Sequence, residues 1–418
     1  MELNPPRGTL DLLVPEGGQM RALYDAAADL ARTWGYRYVE TPGFESTELF
    51  SQTSGETSDV VSKEMYTFND RRDRSLTLRP EGTAPVMRAY LAKRQGMPSP
   101  FKAYYLTRMY RYGRPQAGRY REHRQFGVEV FDSASSSADI EVILLGNAFL
   151  RGLGLSKFEV QVNSIGDDAC RPAYRDLLVD YLSANAERMS DEHKERYADN
   201  PLRVLDCKDE ACAAIASEAP RITDHLCDDC SAHFDEVLAG VRAAGLEPVV
   251  TPTLVRGLDY YTRTAFEFVS LALSKQQGTL FGGGRYDGLA EALGGPAVPG
   301  VGFGMGLERV KLALEDEGIE VPHERGLVAF VIGLGAARDS ALDLVAALRE
   351  VGVPADASFE ERPLKAQMRM ADRASARFAV IIGEQELEQG KAIIKSMDTG
   401  EQETVDMKEA AAWISQRA

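Results

Sequence analysis

Apolar residues recur at helical spacing over residues 18–34, where Met20, Leu23, Tyr24, Ala27 and Leu30 share a face and Gly35 follows as a C-cap. Residues 36–41 read as a strand that Pro42 and Gly43 stop. Two longer strands, 103–112 and 124–131, flank a polar connection containing Gly113, Pro115 and Gly118, which predicts an antiparallel hairpin with a long tip. A helix is expected over 138–150 and a short strand over 158–163. From about 168 to 245 the chain becomes helical and highly charged and carries all five cysteines. Strand patterns return at 248–254 and 265–271, so this stretch reads as a helical insertion into a β-rich domain. Glycines then cluster at 282–284 and 300–306, ahead of a helix at 307–317. Beyond a polar linker, strands at 328–332 and 378–382 alternate with helices at 340–351 and 363–375, which predicts a separate small α/β domain.

Composition narrows this picture by exclusion. At 418 residues, 44% of them hydrophobic, the chain is long enough for more than one core, and neither disorder nor a collagen repeat fits. No run approaches the roughly 18 apolar residues of a membrane span. The first residues lack a basic segment followed by an apolar one, so no secretory signal is expected. An odd number of cysteines argues against a disulfide scaffold and for a reducing, cytoplasmic setting.

Charge changes the picture more. The net charge is −16, yet from Arg71 to Arg124 there are 14 Lys/Arg against three acids, Asp73, Glu81 and Glu122. A dense basic segment in an acidic chain suggests a focused polyanion site rather than a nonspecific coat for nucleic acid. In the hairpin, Gln125, Gly127 and Glu129 fall on one strand face, and Thr107, Met109 and Arg111 on another. A glutamine, a carboxylate and an arginine can therefore converge, while the tip adds Arg114, Arg119 and Arg121, whose forked guanidinium groups suit phosphate. The glycine strand 300–306 strips side chains from one sheet face and leaves a flat floor. Arg309, one turn into the next helix, is placed to stack on a base or hold phosphate. Neither glycine segment is a phosphate-cradling GxxxxGK[ST] loop or a dinucleotide fingerprint.

Two further clusters stand apart. Cys207-x4-Cys212 and Cys227-x2-Cys230, with His225 and His233 close by, have a spacing that fits either a structural zinc site or ordinary reduced thiols. The loose first pair favours thiols, and no metal ligand is assigned. In the C-terminal domain Arg362, Lys365, Arg369, Arg373 and Arg377 form one basic stripe if the helix reaches that far. It reads as a phosphate-contacting face or as a solvated helix face.

Taken together, these segments resemble the histidyl-tRNA synthetases, a family of class II aminoacyl-tRNA synthetases, over nearly the whole chain. Residues 38–42 resemble motif 1, with Pro42 at the family's dimer interface. Residues 109–129 resemble motif 2, and the glycine strand ending at Arg309 resembles motif 3. Residues 254–262 and 283–289 resemble the two histidine-specific signatures. The resemblance implies an α+β fold. A class II antiparallel sheet with flanking helices would lie in residues 1–167 and 246–322, a helical insertion in 168–245, and a C-terminal α/β anticodon-binding domain in 326–418. It implies ATP, Mg²⁺, L-histidine and histidine tRNA as ligands, and a homodimer. Arg111 and Arg256 would be catalytic, beside the α-phosphate. Arg119 and Arg121 would hold the distal phosphates, and Arg309 and His123 would lie at adenine. Glu81, Gly82, Thr83 and Gln125 would clamp the α-amino group, and Glu129, Tyr261 and Tyr260 would read the imidazole. Two positions depart from the pattern. Gly113 stands where the family has the Glu that holds the adenine amino group, and His123 where it commonly has Phe. The expectation is a raised ATP KM that Gly113→Glu would restore. Two alternatives remain: a non-catalytic synthetase-like regulatory subunit of histidine biosynthesis, which often lacks the C-terminal domain, and a different class II synthetase.

Overall fold

The computed structural model describes residues 3–54, 63–190, 194, 197–198, 200–207, 209–256, 260–274, 278–323 and 326–417. The chain divides into two compact units, Met1–His323 and Glu324–Ala418.

The first unit is built on an eight-stranded sheet. In chain order its strands are β1 (Arg37–Tyr38), β2 (Phe101–Tyr110), β3 (Glu122–Phe131), β4 (Phe158–Ser164), β5 (Pro248–Val250), β6 (Thr262–Ser270), β7 (Thr279–Arg285) and β8 (Gly300–Gly306). The spatial order is β1-β2-β3-β8-β7-β6-β4-β5, antiparallel throughout its six central strands and parallel only at the two edges. The expected hairpin is β2–β3. Its register sets Tyr105 opposite Gly127 and Thr107 opposite Gln125.

Alternation along β3 decides which side is core. Phe126, Val128 and Val130 enter a large apolar cluster with Phe266, Phe268, Phe281 and Phe303. That cluster is roofed by α1 (Glu16–Thr33), then, after α2 (Thr83–Lys93) on the opposite face, by α3 (Ser136–Gly152). Beyond α4 (Arg171–Ala184), α5 (Asp228–Ala243) and α6 (Leu307–Glu317) complete the roof. α1 ends at Gly35 (φ +80°) and α6 at Gly318 (φ +73°), each in the left-handed conformation that glycine supplies freely. The opposite sheet face carries Gln125, Gly127 and Glu129. It packs on a second cluster formed by α2, α4 and the tyrosines Tyr105, Tyr260, Tyr261 and Tyr286.

The second unit is a five-stranded sheet of β9 (Ala329–Gly333), β10 (Ala355–Ala357), β11 (Phe378–Ile382), β12 (Lys391–Ser396) and β13 (Gln402–Asp406), in the order β10-β9-β11-β12-β13. Its helices include α7 (Arg338–Glu350), α8 (Leu364–Arg373) and α9 (Met407–Ser415). α8 stops before Arg377, so the basic stripe on the helix itself is Lys365, Arg369 and Arg373, all exposed.

Several elements carried no readable pattern. A three-stranded sheet (Phe44–Ser46, Tyr66–Asn69 and Ser75–Leu78) is made of very short strands, and α2 follows a run of mixed polarity. β12 and β13 are longer, at six and five residues, but largely exposed or half-buried. No helix among the described residues is long and apolar enough to cross a membrane.

Candidate active site

Glu129, in the middle of β3, is fully buried. A carboxyl in that position needs partners, and three hydroxyls supply them. Thr83 donates to one oxygen at 2.8 Å and Tyr105 at 3.2 Å, and the Tyr286 hydroxyl bonds the other oxygen. Burial nevertheless pushes its pKa up to about 8, against the lowering effect of the hydroxyls. Space for this arrangement comes from glycine. Gly302 pairs with Glu129 across β3–β8, and a Cβ there would collide with the carboxylate. A Cβ at Gly127 or Gly82 would strike the Tyr105 ring, and one at Gly304 the Gln125 amide. The alternate glycines of β8 do not leave the expected bare floor: the side chains of Tyr286, Glu129 and Gln125 lie over Gly300, Gly302 and Gly304, and only Gly306 faces open space.

Glu81 lies beside this group at the start of α2. It is buried and accepts the backbone N–H groups of Thr83 at 2.6 Å and Ala84 at 3.0 Å. Burial raises its pKa, while those N–H groups and Arg111 pull the other way. Tyr260 and Tyr261, with ring centres 4.8 Å apart, both pack edge-on against Tyr286 and close the wall. Gly257, Leu258 and Asp259 of the same signature lie outside the described residues.

The cationic end begins at Arg256. Its guanidinium pairs with Glu267 at 2.5 Å and lies over the Tyr261 ring at 5.4 Å. Burial pulls its pKa down, but Tyr261 and Glu267 more than offset this, so it stays charged. Gly282 has no side chain where Arg256 crosses the sheet. Arg111 leaves the end of the hairpin, anchored by Nε to the Pro80 carbonyl at 2.7 Å. Arg309 extends from α6 to the carbonyls of Thr279 and Gly118. Its charge is opposed by burial and then by Arg119 and Arg111, which lower its pKa. The same crowding acts on His123: burial first, then Arg111, Arg309 and Arg119, push it down to about 3, so the ring is neutral. Arg121 stacks on Tyr112 at 3.9 Å.

Gly113 has an unanticipated neighbour. A Cβ built there would lie 3.3 Å from a carboxylate oxygen of Glu64, which pairs with Arg119 at 3.0 Å and is only 15% exposed in its side chain. An acid from a different segment therefore fills the space above Gly113.

Two other buried groups support the frame. Arg285 is fully buried and binds Asp139, the Ser133 and Ser135 carbonyls and Asp287, which fixes β7 just before Tyr286. Arg124 and Glu308 tie β3 to α6. The sequence motifs assign no role to Tyr105, Tyr286 or Glu64. Tyr105 is readable through the hairpin register, as an aromatic opposite a glycine; Tyr286 lies in the 283–289 signature but meets Glu129 from a distant segment, and Glu64 carries no local signal.

The four cysteines matched by spacing do not gather as one set. Cys227 and Cys230 instead join Cys170 and Asp167, with their ligand atoms all within 4.8 Å of one another. Cys207 and Cys212 neighbour each other, and the Cys212 sulfur accepts the Ser190 N–H at 3.3 Å. The reason is topological: Cys170 caps α4 and Cys227 caps α5, and those two helix starts meet.

Comparison with known proteins places these features in context. Residues 8–310 match a family model described as Histidyl-tRNA synthetase, and residues 328–417 one described as Anticodon binding domain. A Histidine--tRNA ligase of Moorella thermoacetica is 50% identical over 406 residues, covering 96% of this chain and 95% of that protein. One from Caldanaerobacter subterraneus is 48% identical over 401 residues, 95% of each. The crystal structure of apo histidyl-tRNA synthetase from S. aureus superposes with a TM-score of 0.83 at 38% identity, covering 99% of this chain and all of that one.

Proposed function

The chain belongs to the histidyl-tRNA synthetase family, and from that premise we infer that it is an enzyme with histidine–tRNA ligase activity. It activates L-histidine with ATP and transfers the histidyl group to the 3′ end of histidine tRNA. The regulatory reading loses to this one because the matches span both the catalytic and the anticodon-binding models.

The observation that carries the substrate assignment is Glu129, a carboxyl buried under three hydroxyls. A ring with two nitrogens is read by a carboxyl at one and a hydroxyl at the other, so Glu129 and Tyr261 take the imidazole, with Tyr260 and Tyr286 shaping the slot. Glu81, Gln125 and Thr83 receive the α-ammonium, and Gly82 between them leaves room for the Tyr105 ring. The substrate carboxylate then faces Arg111 and Arg256. Its oxygen attacks the α-phosphorus of ATP in line, the bond to the β-phosphate oxygen breaks, and pyrophosphate leaves with those electrons. Arg111 and Arg256 are fixed in advance where charge grows, which is the arrangement that lowers such a barrier. In the second step the terminal ribose hydroxyl attacks the histidyl carbonyl and AMP departs.

Arg119 and Arg121 hold the distal phosphates, and Arg309 and the neutral His123 sandwich adenine. Mg²⁺ bound with ATP would supply neutralisation of phosphate charge. Glu267 is the acid at this end that would approach such an ion, although its oxygens already serve Arg256 and the Thr279 hydroxyl. Residues 1–167 and 246–322 form the catalytic domain in this reading, 168–245 the insertion and 326–418 the anticodon-binding domain. Assembly as a homodimer rests on the exposed Tyr38, Pro42 and Phe44 near the edge strand β1, and solution mass measurement checks it. A cytoplasmic location accords with five cysteines free of disulfides.

The deciding experiment is ATP–pyrophosphate exchange without tRNA. Exchange with histidine and not with other amino acids supports the assignment; none from folded protein at saturating ATP would move the regulatory reading to first place.

Glu64 changes the expectation attached to Gly113. The acid that family members carry at that position is replaced in space by Glu64, so Gly113→Glu would set two carboxylates against each other. It should raise the ATP KM by about tenfold, the equivalent of roughly 1.4 kcal/mol, and a lowered KM would show that Glu64 does not fill the role. For the anticodon arm, reversing the charge of Arg369 and Arg373 should weaken tRNA binding and flatten its salt dependence. Binding unchanged across salt would assign the stripe to solvent.

A further inference from the structure

We propose that Asp167, Cys170, Cys227 and Cys230 form a structural site for a thiophilic divalent cation, zinc being the ion that fits. The four ligand atoms lie within 4.8 Å of one another. Tetrahedral zinc with Zn–S bonds of about 2.3 Å and Zn–O near 2.0 Å needs separations of roughly 3.5–3.8 Å, so the set closes on an ion by moving less than about 1 Å.

The set consists of two hooks with the same spacing, Asp167-x2-Cys170 and Cys227-x2-Cys230. Each hook has a residue at a helix start, Cys170 at α4 and Cys227 at α5, and neither cysteine side chain is spent capping its helix. Three thiolates and a carboxylate around a dication leave an excess of two negative charges. The helix N-termini and Arg263 oppose that excess. Arg263 donates to Asp167 Oδ2 at 3.1 Å, which leaves Oδ1 toward the sulfurs, where it already lies 3.7 Å from Cys170. This is how second partners orient a metal-binding carboxylate.

Gly166 makes room. Its φ of +64° and the closeness of Cys170 Sγ, 2.7 Å from where a Cβ would stand, bar any other residue without rearrangement. The site is separate from the reaction centre, but it fastens the insertion to the sheet. Asp167 follows β4, and Arg263 lies in β6 two residues after Tyr261.

The test is metal analysis of untagged protein from medium without added zinc. About one zinc per chain is expected. Stripped, reduced protein reconstituted with cobalt should show the intense visible bands of tetrahedral thiolate coordination. Cys170→Ser and Cys230→Ser should each lower the affinity beyond the roughly 10–100-fold typical of an outer partner, while Cys212→Ser, in the same insertion, should retain the metal. Zinc below about a tenth of an equivalent, together with no cobalt band from the reduced wild-type chain, overturns the proposal. A metal that survives Cys170→Ser and Cys230→Ser, or is lost with Cys212→Ser, overturns it too. The wild-type measurements decide the question even if a serine variant fails to fold.

Discussion

Replacing Arg256 by Gln should lower kcat for histidine-dependent pyrophosphate exchange by about 10²–10³-fold, the cost of removing one preorganised donor at a developing charge. The histidine KM should rise by a smaller factor than kcat falls, because the imidazole and ammonium contacts and Arg111 remain when the carboxylate loses Arg256. Arg256 is held before any substrate arrives. Glu267 fixes one guanidinium nitrogen, Tyr261 lies beneath, and Gly282 leaves the sheet open where the side chain crosses. Such a cation needs no reorganisation when charge develops at phosphorus. A kcat within a few-fold of wild type would remove Arg256 from the catalytic group. Glu267→Gln is the control, since it loosens Arg256 without removing the charge and should fall between the two.

Glu129→Gln should raise the histidine KM by about 10–100-fold, the range for a hydrogen bond to a charged group, and leave the ATP KM unchanged. The same variant has a signature in stability. Burial keeps Glu129 protonated in the unliganded protein up to about pH 8, against an ordinary value of 4.5. The folded state therefore holds a proton that the unfolded chain gives up at lower pH. The stability this contributes is fully present below 4.5 and lost as pH rises toward about 8. Thermal midpoints of Glu129→Gln should decline less across that window than those of wild type. Parallel curves would mean that Glu129 is ionised in the empty pocket.

How far the sequence could be read depended on how local each feature is. The β2–β3 hairpin, the alternate glycines and the arginines at its tip announce themselves within a few residues of one another. So the face carrying Gln125 and Glu129 was legible. Tyr286 reaches Glu129 from 157 residues away, and Glu64 reaches Arg119 from 55. Nothing in spacing ranks such meetings. The cysteines make the same point from the other side. Spacing identified the Cys227–Cys230 hook, but only the meeting of two helix starts showed that its partners are Asp167 and Cys170, and that Cys207 and Cys212 lie elsewhere. The strands near residue 44, three and four residues long, offered too few alternations to read.

The order of strands in the large sheet has a consequence for synthesis on the ribosome. β3 pairs on one side with β2, its immediate predecessor, and on the other with β8, which begins at Gly300. At about 5–20 residues per second, β3 waits on the order of ten to thirty seconds for that neighbour. Throughout the interval one edge is open and Phe126, Val128 and Val130 lack the cover of Phe303 and α6. Arg124, near the start of β3, likewise emerges long before Glu308, its later partner. Nascent chains arrested between β3 and β8 should therefore recruit chaperones, and the amino-acid pocket can close only when translation is three-quarters done.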